Sequence, residues 1–182
     1  MTLALAAGAI ALPAAPAHAA DPITAAEQPH FAYYHLDQAR AKGYTGKGVT
    51  IALLDGEVDT SVPELAGATV IDKTPCTVTS SAYSKSHGTA MASFLVSKEY
   101  GVAPDATLLS YRTKYVQQGD TAESDCQGHH GNSLYEPEWL INQAITDGAQ
   151  IISISASNGL TNDAMKWAIA RANALGVIVV SG

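Results

Sequence analysis

The 182-residue chain carries 10 Lys and Arg against 17 Asp and Glu, for a formal net charge of -7, and 47% of its residues are hydrophobic while 15% are charged. That balance excludes a disordered or fibrous chain and fits one compact domain. No basic cluster occurs anywhere along the sequence, which argues against nucleic acid as a partner.

Met1 to Ala19 is almost wholly small and apolar and ends in Ala17-His18-Ala19, the small-x-small pattern that signal peptidase accepts. Residues 1–19 therefore read as a signal peptide cleaved after Ala19, sending the mature chain to the medium or the cell envelope. Pro13 and Pro16 interrupt the run and it is short for a bilayer, so a retained membrane helix is the weaker alternative. The first Lys or Arg is Arg40, so the basic start of such a signal is missing and, on this reading, the true start lies upstream of Met1. Export lets Cys76 and Cys126 oxidise, and a bridge is favoured over two separate buried thiols. Such a bridge stabilises the fold by about 4 kcal/mol in the chain-entropy model.

Residues 20–45 form a polar lead-in segment in which Leu36 to Lys42 has helical character and Gly43 supplies a stop. Residues 46–182 make up the domain. Val49 to Leu54 is a continuous apolar run stopped by Asp55-Gly56, which predicts a strand buried on both faces. Gly88 to Val96 suits a small-residue helix opened by His87, and Thr107 to Arg112 suits a second strand after the Gly101 to Pro104 turn. Tyr115 to Ser133 is a long loop of the kind that tends to serve function. Pro137 fits the first turn of a helix that Asp147-Gly148 ends, and Ile151 to Ser155 predicts a third strand. Asn162 can cap a helix to Leu175 with Ala164, Trp167, Ala168 and Ala172 as its buried stripe, followed by a fourth strand over Val177 to Val180. Apolar strands alternating with helices predict an α/β fold, a three-layer parallel sheet with helices on both faces. Function then collects at the carboxyl ends of the strands.

Asp55 stands at such an end, where alone it would pass for a turn residue. His87 changes that reading, because Gly88 and the alanines around it allow backbone to approach the imidazole closely. A serine nucleophile needs a base, and the base needs a carboxylate that fixes its tautomer and stabilises the imidazolium. With His87 at a helix start, the dipole opposes protonation while Asp55 favours it, which poises the ring near neutrality. His129-His130 finds no third ligand at suitable spacing and reads as a solvated loop rather than a metal site.

Gly46-Lys47-Gly48-Val49 with Ile51 to Asp55, then His87-Gly88-Thr89 and Gly101-Val102-Ala103-Pro104, resembles the subtilisin family in motif and in chain order. The resemblance runs from about Gly46 to Gly182 and implies the N-terminal portion of a subtilisin-like peptidase domain acting on polypeptides. By that resemblance Asp55 orients and His87 is general base and acid. Ser155, Ala156 and Ser157 match the segment lining the substrate cleft, and Gly128 to Ser133, with Gly128 and Gly131, matches the extended edge that pairs with substrate backbone.

Two departures from the pattern stand out: Gly56 and Glu57 occupy places where the family has Ser or Thr and then Gly, and Ser157 stands where it tends to have Gly. Glu57 adds a carboxylate beside the couple, able to alter its orientation or raise the base's pKa. The chain stops at Ser181-Gly182, where the family's next residue is the Asn that donates to the oxyanion. The nucleophilic Ser is expected beyond that point, and the chain alone is expected to be inactive. No cofactor is evident. Calcium is allowed only by family analogy, without an Asp-rich loop to hold it, and an anchor in a later segment stays open. The alternatives are a non-catalytic binding or scaffold domain reusing the fold, and an unrelated α/β ligand-binding domain, for which the motif order would be coincidence.

Overall fold

The computed structural model describes residues 21–113, 119–128, 131, 133–155 and 162–181. The signal reading of residues 1–19, the His129-His130 pair, Ala156 and Ser157 lie outside these residues. Among them, strands β1 (Thr50–Asp55), β2 (Thr69–Asp72), β4 (Thr107–Arg112), β6 (Ile151–Ile154) and β7 (Ile178–Ser181) form one parallel sheet in the order β2-β4-β1-β6-β7. Two short strands, β3 (Val78–Thr79) and β5 (Thr121–Ala122), pair antiparallel in a separate ribbon. From β1 the chain crosses to the edge strand β2, comes back to β4 beside β1, and then passes β1 to reach β6 on its other side. The carboxyl end of β1 therefore lies between neighbours reached in opposite directions, the place where such sheets open a crevice.

The helices are α1 (Pro29–Tyr33), α2 (Leu36–Ala41), α3 (Ala82–Val96), α4 (Pro137–Thr146) and α5 (Asp163–Ala174). Alternate residues of β1 serve opposite layers. Ile51 and Leu53 join Leu65, Val96 and Leu108 in the core on the α3 side, while Ala52 and Leu54 join Tyr111, Leu140, Ile141 and Met165 on the α4 and α5 side. Two dry faces on one strand explain why its sequence runs apolar without alternation. The lead-in segment is fastened to the far end of α3 by Arg40, whose guanidinium donates to the carbonyls of Lys98, Glu99 and Gly101 at 3.0, 3.0 and 2.6 Å. A cationic fork suits the carbonyl-rich end of a helix.

Two expectations are corrected here. The helix carrying His87 starts at Ala82, not at His87, with Ser81 as the N-cap accepting from the Ser84 amide at 3.3 Å. Trp167 and Ala164 are not in the buried stripe of α5: Trp167 is 75% exposed, whereas Met165, Ala168 and Ala172 are buried. The spacing of those three residues puts one helical face on the sheet, and position 167 falls outside it.

Candidate active site

Backbone contact between β1 and α3 builds the site. An added Cβ on Gly88 would lie 2.6 Å from the Gly56 carbonyl oxygen and 2.8 Å from that of Glu57, and one on Gly56 would collide with the Ser84 carbonyl. These two glycines let the turn after β1 lie directly against the helix, one residue from His87. Asp55 ends the strand fully buried and accepts from the Gly56 amide at 2.6 Å through Oδ1. The same oxygen is 2.9 Å from His87 Nδ1, while the imidazole remains 25% exposed. A carboxylate can only accept, so the proton of this bond is on Nδ1 and the basic nitrogen of the neutral ring is Nε2. Asp55 Oδ2 is buried without a hydrogen-bond partner among the described residues.

The start of α3 is secured from a distant loop. Asp120 accepts from the Ser81 amide at 2.6 Å and from the Ser84 hydroxyl at 2.7 Å, placing a carboxylate on the positive end of the helix. Cys76 and Cys126 are disulfide-bonded with Cα atoms 4.9 Å apart, and this crosslink ties the segment before β3 to the one after β5, the strand that Asp120 precedes. His87 is in the second turn of α3 rather than at its start, so the helix dipole does not act on it as expected, and its ring nitrogen bonds Asp55. Tyr83, 59% exposed, lies one turn before it with ring centroids 6.2 Å apart and planes 20° apart.

Glu57, the unfamiliar residue after the turn, is drawn away from the couple. Its Oε1 pairs with Lys85 Nζ at 3.3 Å and its Oε2 with Arg112 Nη1 at 3.3 Å. Asp59 Oδ2 takes Lys85 Nζ at 3.2 Å, and the hydroxyl and amide of Ser61 with Lys85 hold its carboxyl down at about 2. The two carboxylates in turn raise the pKa of Lys85. Arg112 continues the lattice to Asp72 at 3.0 Å.

Ser155 follows directly on β6, whose Ile154 is in register with Leu54 of β1, so it emerges at the same sheet edge as Asp55. Gly128 is half-buried, Gly131 has φ of 75°, and Gln127 and Ser133 on either side of them form an antiparallel bridge. Among the described residues no group of three or more His, Cys, Asp or Glu side chains is placed to hold a metal ion. No helix among them is long and apolar enough to cross a membrane. A cavity of about 480 Å³ lies on another flank of α3, lined by Ile23, Val62, Lys85, Thr89, Phe94 and Tyr100, without Asp55 or His87. Sequence reasoning passed over Lys85, Arg112 and Asp120, which bear on the site through tertiary contacts that no local pattern announces.

The chain is 29% identical over 170 residues to the minor extracellular protease Vpr of Bacillus subtilis (strain 168), covering 82% of this chain and 19% of that protein. It is 27% identical over 161 residues to subtilisin E of the same organism, covering 81% of this chain and 38% of the relative. The chain thus spans well under half the length of these relatives. Among solved structures, the prenylagaramide maturation protease PagA superposes with a TM-score of 0.59 at 22% identity, over 80% of this chain and 49% of that one. MycP1 of Mycobacterium smegmatis does so with a TM-score of 0.57 at 23% identity, over 83% and 43%. These likenesses show the fold, and the model of the subtilase family matches residues 46–181, so the chain belongs to the subtilase family.

Proposed function

We propose that this chain is the Asp- and His-bearing portion of a secreted serine endopeptidase, with the nucleophilic Ser supplied by sequence following Gly182. The observation that carries the reading is the 2.9 Å bond between His87 Nδ1 and a fully buried Asp55 carboxylate, inside a chain of this family. In that mechanism His87 Nε2 takes the proton of the serine hydroxyl as it attacks the scissile carbonyl, and returns it to the leaving amine. Asp55 holds the tautomer and stabilises the imidazolium without becoming protonated. By resemblance to the family, Ser155, Ala156 and Ser157 correspond to the segment that lines its substrate cleft, and Gly128 and Gly131 to the one that meets substrate backbone. Secretion is supported by the apolar start of residues 1–19, by the disulfide, and by the extracellular character named for the relative Vpr.

Labelling of the complete gene product with a serine-directed fluorophosphonate tests this. Labelling and casein hydrolysis in the wild type, both lost in His87→Ala, support the reading. A folded full-length product that neither labels nor hydrolyses peptides would move the assignment to a binding or scaffold domain.

A further inference from the structure

The turn after β1 puts two carboxylates, Glu57 and Asp59, within four residues of Asp55, and the tight packing of Gly88 against the Gly56 and Glu57 carbonyls brings that turn against the helix beside His87. Left uncompensated, both charges would favour the imidazolium and raise the proton affinity of a base that must be neutral to act. We propose that Lys85 is a positioning residue that binds Glu57 and Asp59 together, cancels their field at His87 and leaves the acid–base behaviour of that ring to Asp55. The inference rests on reading Asp55 and His87 as the catalytic couple.

Lys85 suits the task by position. It precedes His87 by two residues on the same helix, so whatever fixes its ammonium between the two carboxylates also fixes the rotation of α3 over the end of β1. The contacts at 3.3 and 3.2 Å engage one carboxylate from each side of Val58, and the Asp59 amide is held in turn by the Thr89 hydroxyl at 2.9 Å, one turn further along α3. The other charged or titratable groups around the ring are Asp55 on β1, Tyr83 on α3, Arg112 on β4 against Glu57, Asp72 on β2 against Arg112, and Asp120 on the loop at the helix start. Arg112 is already divided between Glu57, Asp72 and the Val78 carbonyl, so it cannot take over both carboxylates when Lys85 is lost.

The test is the titration midpoint of the His87 ring, read by NMR on isotope-labelled histidine in the full-length protein and assigned by its loss in His87→Gln. Lys85→Met should raise the midpoint by about half a pH unit, as expected when one screened unit charge is removed near a partly exposed site. The acid limb of the kcat/KM profile should move to higher pH by the same amount, Lys85→Arg should restore it, and the shift should shrink as salt is raised to about 1 M. Glu57→Gln should move the midpoint the opposite way, and serves alone if Lys85→Met does not fold. A midpoint unmoved in the folded variants overturns the inference. A shifted midpoint in a protein without peptidase activity would leave the inference standing and remove the protease reading instead.

Discussion

Replacing Gly88 with Ala sets two magnitudes against each other. In a helix interior the substitution should gain about 1 kcal/mol from propensity alone. The added Cβ, however, would sit 2.6 Å from the Gly56 carbonyl oxygen, where ordinary contact begins at 3.4 Å, so turn and helix must separate by about 0.8 Å, the difference of those two distances. Neither neighbour is a flexible side-chain tip; both are backbone of the turn that holds Asp55. Overpacking of that kind costs roughly 1–3 kcal/mol, and the net should be a loss of up to about 2 kcal/mol. The same separation, taken along the 2.9 Å bond from His87 Nδ1 to Asp55 Oδ1, carries it beyond hydrogen-bonding range. Misplacement on that scale is worth on the order of a hundredfold in rate. Urea unfolding and peptide hydrolysis, measured on the same preparation, separate the two effects. A Gly88→Ala protein more stable than wild type, with unchanged turnover, would refute the close-packing argument.

Replacing Cys76 and Cys126 together with Ser should cost about 4 kcal/mol, since the bridge spans a sequence separation of 50. A loss below about 1 kcal/mol in urea unfolding would mean that the lobe is held by other contacts. Asp59, held at about 2 against an ordinary 3.8, contributes stability that is complete above roughly pH 4 and is lost as pH falls through 2. The gap in melting temperature between wild type and Asp59→Asn should therefore be present at pH 6 and closed near pH 2, and a gap that persists at pH 2 contradicts the assignment.

The strands of the main sheet were legible where burial on both faces leaves a largely apolar run, as in Ile51 to Leu54 and, with Ser110 among its buried residues, Leu108 to Tyr111. Strand β2 was not, because Thr69–Asp72 is mostly exposed at the sheet edge and carries only Val70 and Ile71 as a signal. The ribbon of β3 and β5 joins two residues from each of two loops and depends on the disulfide nearby, so it has no local pattern at all. The start of α3 failed for a related reason. Tyr83-Ser84-Lys85-Ser86 carries no apolar periodicity, and the Ser81 cap together with a carboxylate contributed from position 120 supports the helix there. Asp55 and His87 were legible because strand end, glycine neighbours and chain order point the same way. The neutralisation of Glu57 was not, because its cations come from α3 and β4.

The most direct measurement is the rate of peptide hydrolysis by the full-length protein carrying Asp55→Asn. An asparagine keeps the size of the side chain but removes the charge that holds the His87 proton on Nδ1, so the turnover should fall by about 10⁴ with KM little changed. Turnover within a few-fold of wild type would contradict the claim that the Asp55–His87 bond is the acid–base couple of this subtilase.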